Sequence, residues 1–104
     1  MLYIIYQLDK PNSAEIRAAQ RQAHLRYLDE HKDILVLGGA MLADDGTTRL
    51  GSVLIINVPN SQEAERFSAN EPFRQAGLFA RVEITRMRRG QWNPAAAPRT
   101  PEGN

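Results

Sequence analysis

Residues 34–58 read ILVLGGAMLADDGTTRLGSVLIINV, and this stretch decides the fold. Ile34 to Leu42 is a short apolar run, Ala43 to Thr48 carries the Asp-Gly chemistry of a tight hairpin, and Gly51 to Val58 is a second apolar run. Two β-branched, apolar runs joined by such a turn pair as antiparallel strands. Gly38-Gly39 has no GxGxxG or GxxxxGK context for phosphate binding, so a β-bulge or a close backbone approach is expected there.

Upstream, LYIIYQL (Leu2 to Leu8) is another strand, closed by the turn residues Asp9-Lys10-Pro11-Asn12. Ser13 is placed to cap a helix running from about Ala14 to Lys32, with Glu15 favouring the dipole of its first turn. At 100° per residue, Ile16, Ala19, Ala23 and Tyr27 form one stripe with Leu28 at its margin, and His24 falls between them. Downstream, Asn60-Ser61 opens a second helix that runs to about Ala69. Pro72 biases Glu71 away from helical geometry and so places it at a bend before a short helical turn. Gly77 ends that turn, and LFARVEITRM (Leu78 to Met87) alternates as a last strand. Asn93 to Asn104 holds Pro94, Pro98 and Pro101 and no large apolar side chain. A folded unit of residues 1–92 followed by a flexible tail, 93–104, is expected.

The order β-α-β-β-α-β is the split βαβ pattern of the ferredoxin-like α+β folds, with both helices on one face of a four-stranded antiparallel sheet. The first and third strands are apolar at both parities: Ile4 and Tyr6 against Tyr3 and Ile5, Leu54 and Ile56 against Val53 and Ile55. A sheet face left to water would turn polar. A second copy covering that face, as a two-fold homodimer, is therefore expected.

Composition narrows the function. In 104 residues there are 13 basic and 12 acidic side chains, a net charge of +1, so nothing resembles a phosphate-tracking surface and no nucleic-acid partner is expected. The absence of cysteine excludes thiolate metal sites, disulfides and cysteine nucleophiles. The N-terminal apolar run is too short for a signal peptide or a membrane span, and a cytoplasmic protein without membrane attachment is expected. One chain of this size builds only a modest core.

Two histidines lie on the first helix. His31, in the last turn, reads as a surface residue favourable to the helix dipole. His24, partly desolvated at the edge of the apolar face, is the best available proton-transfer group near neutral pH, although an ordinary boundary histidine has the same pattern. No HExxH or second histidine four residues away accompanies it, and no metal site is expected. Glu71 lies in a loop between helix and strand, where function concentrates but solvated turn acids are also common. Arg17 and Arg21 lie on the His24 side of the helix and are candidates for holding an anionic oxygen. Asp44 and Asp45 read as turn formers, while Phe73 and Trp92 read as packing groups able to line a pocket.

The segments LDKPNSAEIRAAQRQAHLRYL, LGGAMLADDG with GSVLIINV, and EPFRQAGLFARVEITR together resemble the YciI-like (YCII-related) family of small dimeric α+β barrel proteins, from Leu2 to about Arg88. The resemblance implies a His–acid catalytic pair, carried here by His24 and Glu71, with Arg17, Arg21 and Phe73 beside it as substrate-binding residues. The family usually has Asp at the Glu71 position, a proline at Ala40 and a tryptophan near Met87, and often a tyrosine at Phe73. These departures imply a specialised pocket. The implied chemistry is cofactor-independent: dehydrochlorination of a chlorinated hydroxyhydroquinone, or a proton shift of the muconolactone-isomerase kind. A dimeric module that only binds a small metabolite is the alternative.

Overall fold

The computed structural model describes residues 1–104. Strand β1 (Leu2–Asp9) leads into helix α1 (Ala14–Glu30), then come β2 (Leu35–Leu42), β3 (Arg49–Asn57), helix α2 (Ser61–Ala69), the single-turn helix α3 (Pro72–Gln75) and β4 (Phe79–Met87). The four strands form one antiparallel sheet in the order β2-β3-β1-β4. This is the expected ferredoxin-like α+β topology.

Register explains which side chains meet. Tyr3 pairs with Ile56, and Ile5 lies between Leu54 and Ile84. Strand residues alternate faces, so Tyr3, Ile5, Leu54 and Ile56 share one side. They are buried there against Ala64 and Phe67 of α2, with Tyr27 and Leu28 of α1 at the margin. A smaller cluster of Phe73, Leu78 and Phe79 packs with Ile16 and Val82 beneath α3. Ile4, Tyr6, Val53, Ile55 and Leu37 occupy the opposite side by register, where Leu37 stays 65% exposed. None of α1 to α3 covers that face, and the segment from Arg88 to Ala97 borders it beside Leu37 and Ile55.

Several local expectations need correction. Ser13 sits at the N-cap of α1, but its side chain makes no capping hydrogen bond. The helix stops at Glu30, with His31 as its C-cap. Its inward face runs through Ile16, Gln20, Ala23 and Tyr27; Ala19 is exposed. At 100° per residue Gln20 is the neighbour of Ile16 and Ala23 one turn along, and its polarity masked its position. In β2 the register shifts lie between Leu35 and Leu37 and between Met41 and Leu42, on either side of the glycine pair and not at it. Gly38 does mark a close approach, since a Cβ there would lie 2.7 Å from the Leu54 side chain, whereas Gly39 faces open space. Strand β3 begins at Arg49, two residues before the expected Gly51, because the hairpin closes with Ala43 N–H donating to Thr48 C=O.

Other signals act as read. Gly46 and Gly77 adopt φ of 76° and 78°, the left-handed region that favours glycine, at the hairpin tip and after α3. Asn60 caps α2 by accepting from the Glu63 N–H at 2.9 Å. Past Trp92 the chain forms a 3-10 turn at Pro94–Ala96 and a short bridge between Thr100 and Gly103. No helix is long and apolar enough to cross a membrane.

Candidate active site

Glu71 is the N-cap of α3, in extended conformation, with Pro72 as the first helical residue. Its Oε1 accepts the Phe73 N–H at 3.2 Å, which fixes the carboxylate at the mouth of a one-turn helix. The side chain is 1% exposed. The same Oε1 lies 2.6 Å from Nδ1 of His24, which projects from the middle of α1 with 17% side-chain exposure. Oε2 is buried and has no hydrogen-bond partner in the chain.

When the carboxylate is ionised it only accepts hydrogen bonds, and Nδ1 then carries the proton and donates. The other ring nitrogen, Nε2, then holds the lone pair and makes no hydrogen bond within the chain. This is the orientation that an acid gives to a catalytic imidazole: it fixes the tautomer and stabilises the imidazolium once Nε2 gains a proton. Phe73 stacks on the imidazole, with ring centroids 4.0 Å apart and planes at 14°. The aromatic face and the carboxylate together leave the ring little freedom to rotate.

Cations surround the pair. Arg17 donates to Asp9 Oδ2 at 2.6 Å, and its guanidinium lies 4.9 Å from the centre of the Phe73 ring. Arg17, Arg21, His24, Leu25, Arg49 and Phe73 line a pocket of about 100 Å³. Neither Arg21 nor Arg49 has a carboxylate within ion-pair distance. Partial burial, then the like charge of Arg17, lowers the Arg49 pKa, with Arg21 adding to the effect and Asp9 opposing it. Beneath the site, the Tyr27 hydroxyl donates to the Phe67 carbonyl at 2.7 Å. Burial and then the nearby Glu71 charge raise the Tyr27 pKa, so this phenol stays protonated as a fixed donor.

The structure thus brings His24, Glu71, Arg17, Arg21 and Phe73 into one place. Phe73 is both a packing group and a wall of the pocket. Arg49 also lines this pocket, although its local sequence places it in the loop before Gly51. Counting both arms of the hairpin outward from Asp45-Gly46 would have placed it opposite Leu42, with which it pairs. His31 is not part of this pocket: its Nδ1 lies 2.8 Å from the Tyr27 carbonyl and its ring packs against Tyr27. Asp45 accepts from Thr47 and Thr48 and so forms the hairpin turn, as expected. Trp92, 59% exposed, lies outside this pocket but lines a separate cavity of about 630 Å³ with Leu2, Leu37, Ile55 and Met87, as a packing group able to line a pocket would. No group of three or more His, Asp or Glu side chains is placed to hold a metal ion.

The fold is that of a small ferredoxin-like α+β domain, with a histidine held by a buried carboxylate beside an arginine-lined pocket. The model of the YCII-related domain matches residues 1–88, and the chain belongs to that family. An uncharacterised protein of Haemophilus influenzae is 32% identical over 91 residues, covering 81% of this chain and 93% of the relative. Protein YciI of Escherichia coli O6:H1 is 32% identical over 93 residues with the same coverage. Among solved structures, 5-chloro-2-hydroxyhydroquinone dehydrochlorinase (TftG) from Burkholderia phenoliruptrix AC1100, in complex with 2,5-dihydroxybenzoquinone, is similar with a TM-score of 0.78 and 37% identity. That match covers 86% of this chain and 96% of the other.

Proposed function

We propose that this protein is a cofactor-independent acid–base enzyme that removes hydrogen chloride from a chlorinated hydroxyhydroquinone. The observation that carries the reading is the 2.6 Å contact between His24 and the buried Glu71, beside a pocket lined by three guanidinium groups. The likeness to a dehydrochlorinase supports the reaction class.

In this reading His24 Nε2 takes a phenolic proton, and the ring becomes electron-rich enough to accept a proton at the carbon that bears chlorine. The imidazolium supplies that proton. Loss of a second phenolic proton to His24 then drives the electron pair through the ring, the C–Cl bond breaks, and chloride leaves with formation of a hydroxyquinone. One HCl is lost in total and no oxidant is required. Glu71 stabilises each imidazolium stage, while Arg17, Arg21 or both hold the phenolate or enolate oxygen by charge-assisted hydrogen bonds.

The functional unit in this proposal is a homodimer, because Ile4, Tyr6, Leu37, Val53 and Ile55 form a sheet face that none of α1 to α3 covers. The reaction is tested by incubating the protein with 5-chloro-2-hydroxyhydroquinone under anaerobic conditions and measuring free chloride and quinone absorbance. His24→Asn lowers kcat/KM at least about 100-fold, while circular dichroism shows a folded protein with a lowered melting temperature, because the buried Glu71 loses its partner. An undiminished rate in folded His24→Asn removes His24 from the mechanism. Saturable binding of 2,5-dihydroxybenzoquinone without turnover of any chlorinated ring makes the protein a binding module instead.

A further inference from the structure

The pocket beside His24 is not isolated. Arg17 and Arg49 line it and also line a groove of about 540 Å³ that runs between the β1–α1 connection and the β2–β3 hairpin. The inner pocket, at about 100 Å³, has room for little more than the reacting part of a ring compound. The outer groove is several times larger. We infer that the groove is a subsite for a carboxylate arm on the substrate, and that Arg49 is the residue that selects for it. This rests on the acid–base reading above and adds a second anionic group to the substrate class.

The charges favour an anion. Across the two cavities the cations are Lys10, Arg17, Arg21 and Arg49, and the only lining acid is Asp9, already paired with Arg17. Lys10, Arg21 and Arg49 have no carboxylate within 4.0 Å. Arg49 sits on the wall common to both cavities, so its guanidinium can engage a carboxylate in the groove while the ring lies against His24 and Phe73. Burial and then the like charge of Arg17 lower the Arg49 pKa, with Asp9 opposing and Arg21 adding to the effect, and an anion bound in the groove favours the charged guanidinium.

A second, independent observation lies in the groove floor. Ser13 is 8% exposed, lines the groove, and its side chain makes no hydrogen bond, although it stands at the head of a 17-residue helix where a cap is normal. Its hydroxyl, on the groove wall and not used as a cap, is available to an incoming ligand. A carboxylate there accepts from Ser13 and from the amides of the first turn of α1, where the helix dipole also favours negative charge.

The test uses 2,5-dihydroxybenzoate and its neutral isostere 2,5-dihydroxybenzamide, titrated into the intact protein by calorimetry. The acid binds at least about 10-fold more tightly than the amide, as expected for one charge-assisted contact. Arg49→Gln brings the ratio to within about twofold, and Arg49→Lys retains part of it. Thr47→Glu, which puts a like charge on the exposed groove wall but not in the inner pocket, also lowers the ratio. Equal affinities in the wild type, or a ratio that survives Arg49→Gln or Thr47→Glu, overturn the inference. Chloride release from 5-chloro-2-hydroxyhydroquinone, measured on the same wild-type preparation, separates the two ideas. Release without acid preference defeats the subsite alone, and an Arg49-dependent acid preference without release defeats the reaction while the subsite stands.

Discussion

Glu71→Asp keeps the charge, yet it should harm the site more than Glu71→Gln. The reason is reach. In the structure one oxygen, Oε1, serves both His24 at 2.6 Å and the Phe73 N–H at 3.2 Å. Removing a methylene withdraws the carboxylate by about the 1.5 Å of a C–C bond. Glu71 cannot follow inward freely, because Gln75 N–H donates to its carbonyl at 3.0 Å and Leu78 N–H donates to Phe73 C=O at 3.1 Å, locking α3 to the chain on either side. The His24 contact then opens to about 4 Å, beyond hydrogen bonding. A charge-assisted bond of about 1.5–3 kcal/mol is lost, which corresponds to about a 10- to 150-fold fall in kcat/KM where the transition state carries an imidazolium. Glu71→Gln is isosteric, and its carbonyl still accepts both hydrogen bonds. It exchanges a charged acceptor for a neutral one, a loss of about 1–1.5 kcal/mol and about 5- to 15-fold in rate. Chloride release gives the rates, and thermal melts by circular dichroism show that both variants remain folded. A Glu71→Asp enzyme as fast as wild type, or faster than Glu71→Gln, would refute the geometric reasoning.

Three further perturbations probe the scaffold. Gly51→Ala drives a Cβ into the Gln7 carbonyl across the β1–β3 pairing and should destabilise the chain by about 2–3 kcal/mol, while Gly39→Ala, which meets nothing, should change stability by less than about 1 kcal/mol; urea midpoints decide between them. Asp45 is held at a pKa of about 2, first by the Thr48 hydroxyl at 2.5 Å and then by the Thr48 and Thr47 amides. A lowered folded-state pKa means that this stabilisation is complete above the unfolded value near 3.8 and is lost as pH falls toward 2. Acid titration of the melting temperature should therefore be shallower in Asp45→Asn across that window. Leu37→Glu, on the uncovered sheet face, should halve the mass found by sedimentation equilibrium; a monomeric wild type at micromolar concentration would sink the homodimer proposal.

The strands were legible because their physics is local. Apolar runs bounded by Asp-Gly, Pro-Asn and Gly signals leave few alternatives to a paired sheet, and the element order then determines topology. Helix α1 was harder. Its inward face carries Gln20, His24 and Tyr27 among only two smaller apolar residues, Ile16 and Ala23, so the hydrophobic period that marks a core-facing helix is weak. The face was polar because it builds the site. The partnership of His24 with Glu71 spans 47 residues, and nothing in either local pattern announces it. Only the family resemblance paired them. Arg49 escaped because an arginine next to a turn looks solvated until the hairpin register places it in β3.

This division has a physical consequence for α1. None of its residues is fully buried, so apolar burial alone is a weak reason for a 17-residue helix to lie where it does. Polar ties supply much of the specificity. Arg17 binds Asp9 at the end of β1, His24 binds Glu71 at the start of α3, and Tyr27 binds the Phe67 carbonyl in α2. The three ties lie along one inward face, at positions 17, 24 and 27, and each reaches a different element. Two of them are also walls of the pocket. The bonds that dock the helix are therefore the bonds that orient the imidazole and aim a guanidinium, and the site is assembled by the same step that completes the fold. Each of these side chains is held by a partner before any ligand arrives, so the site is preorganised by the fold itself.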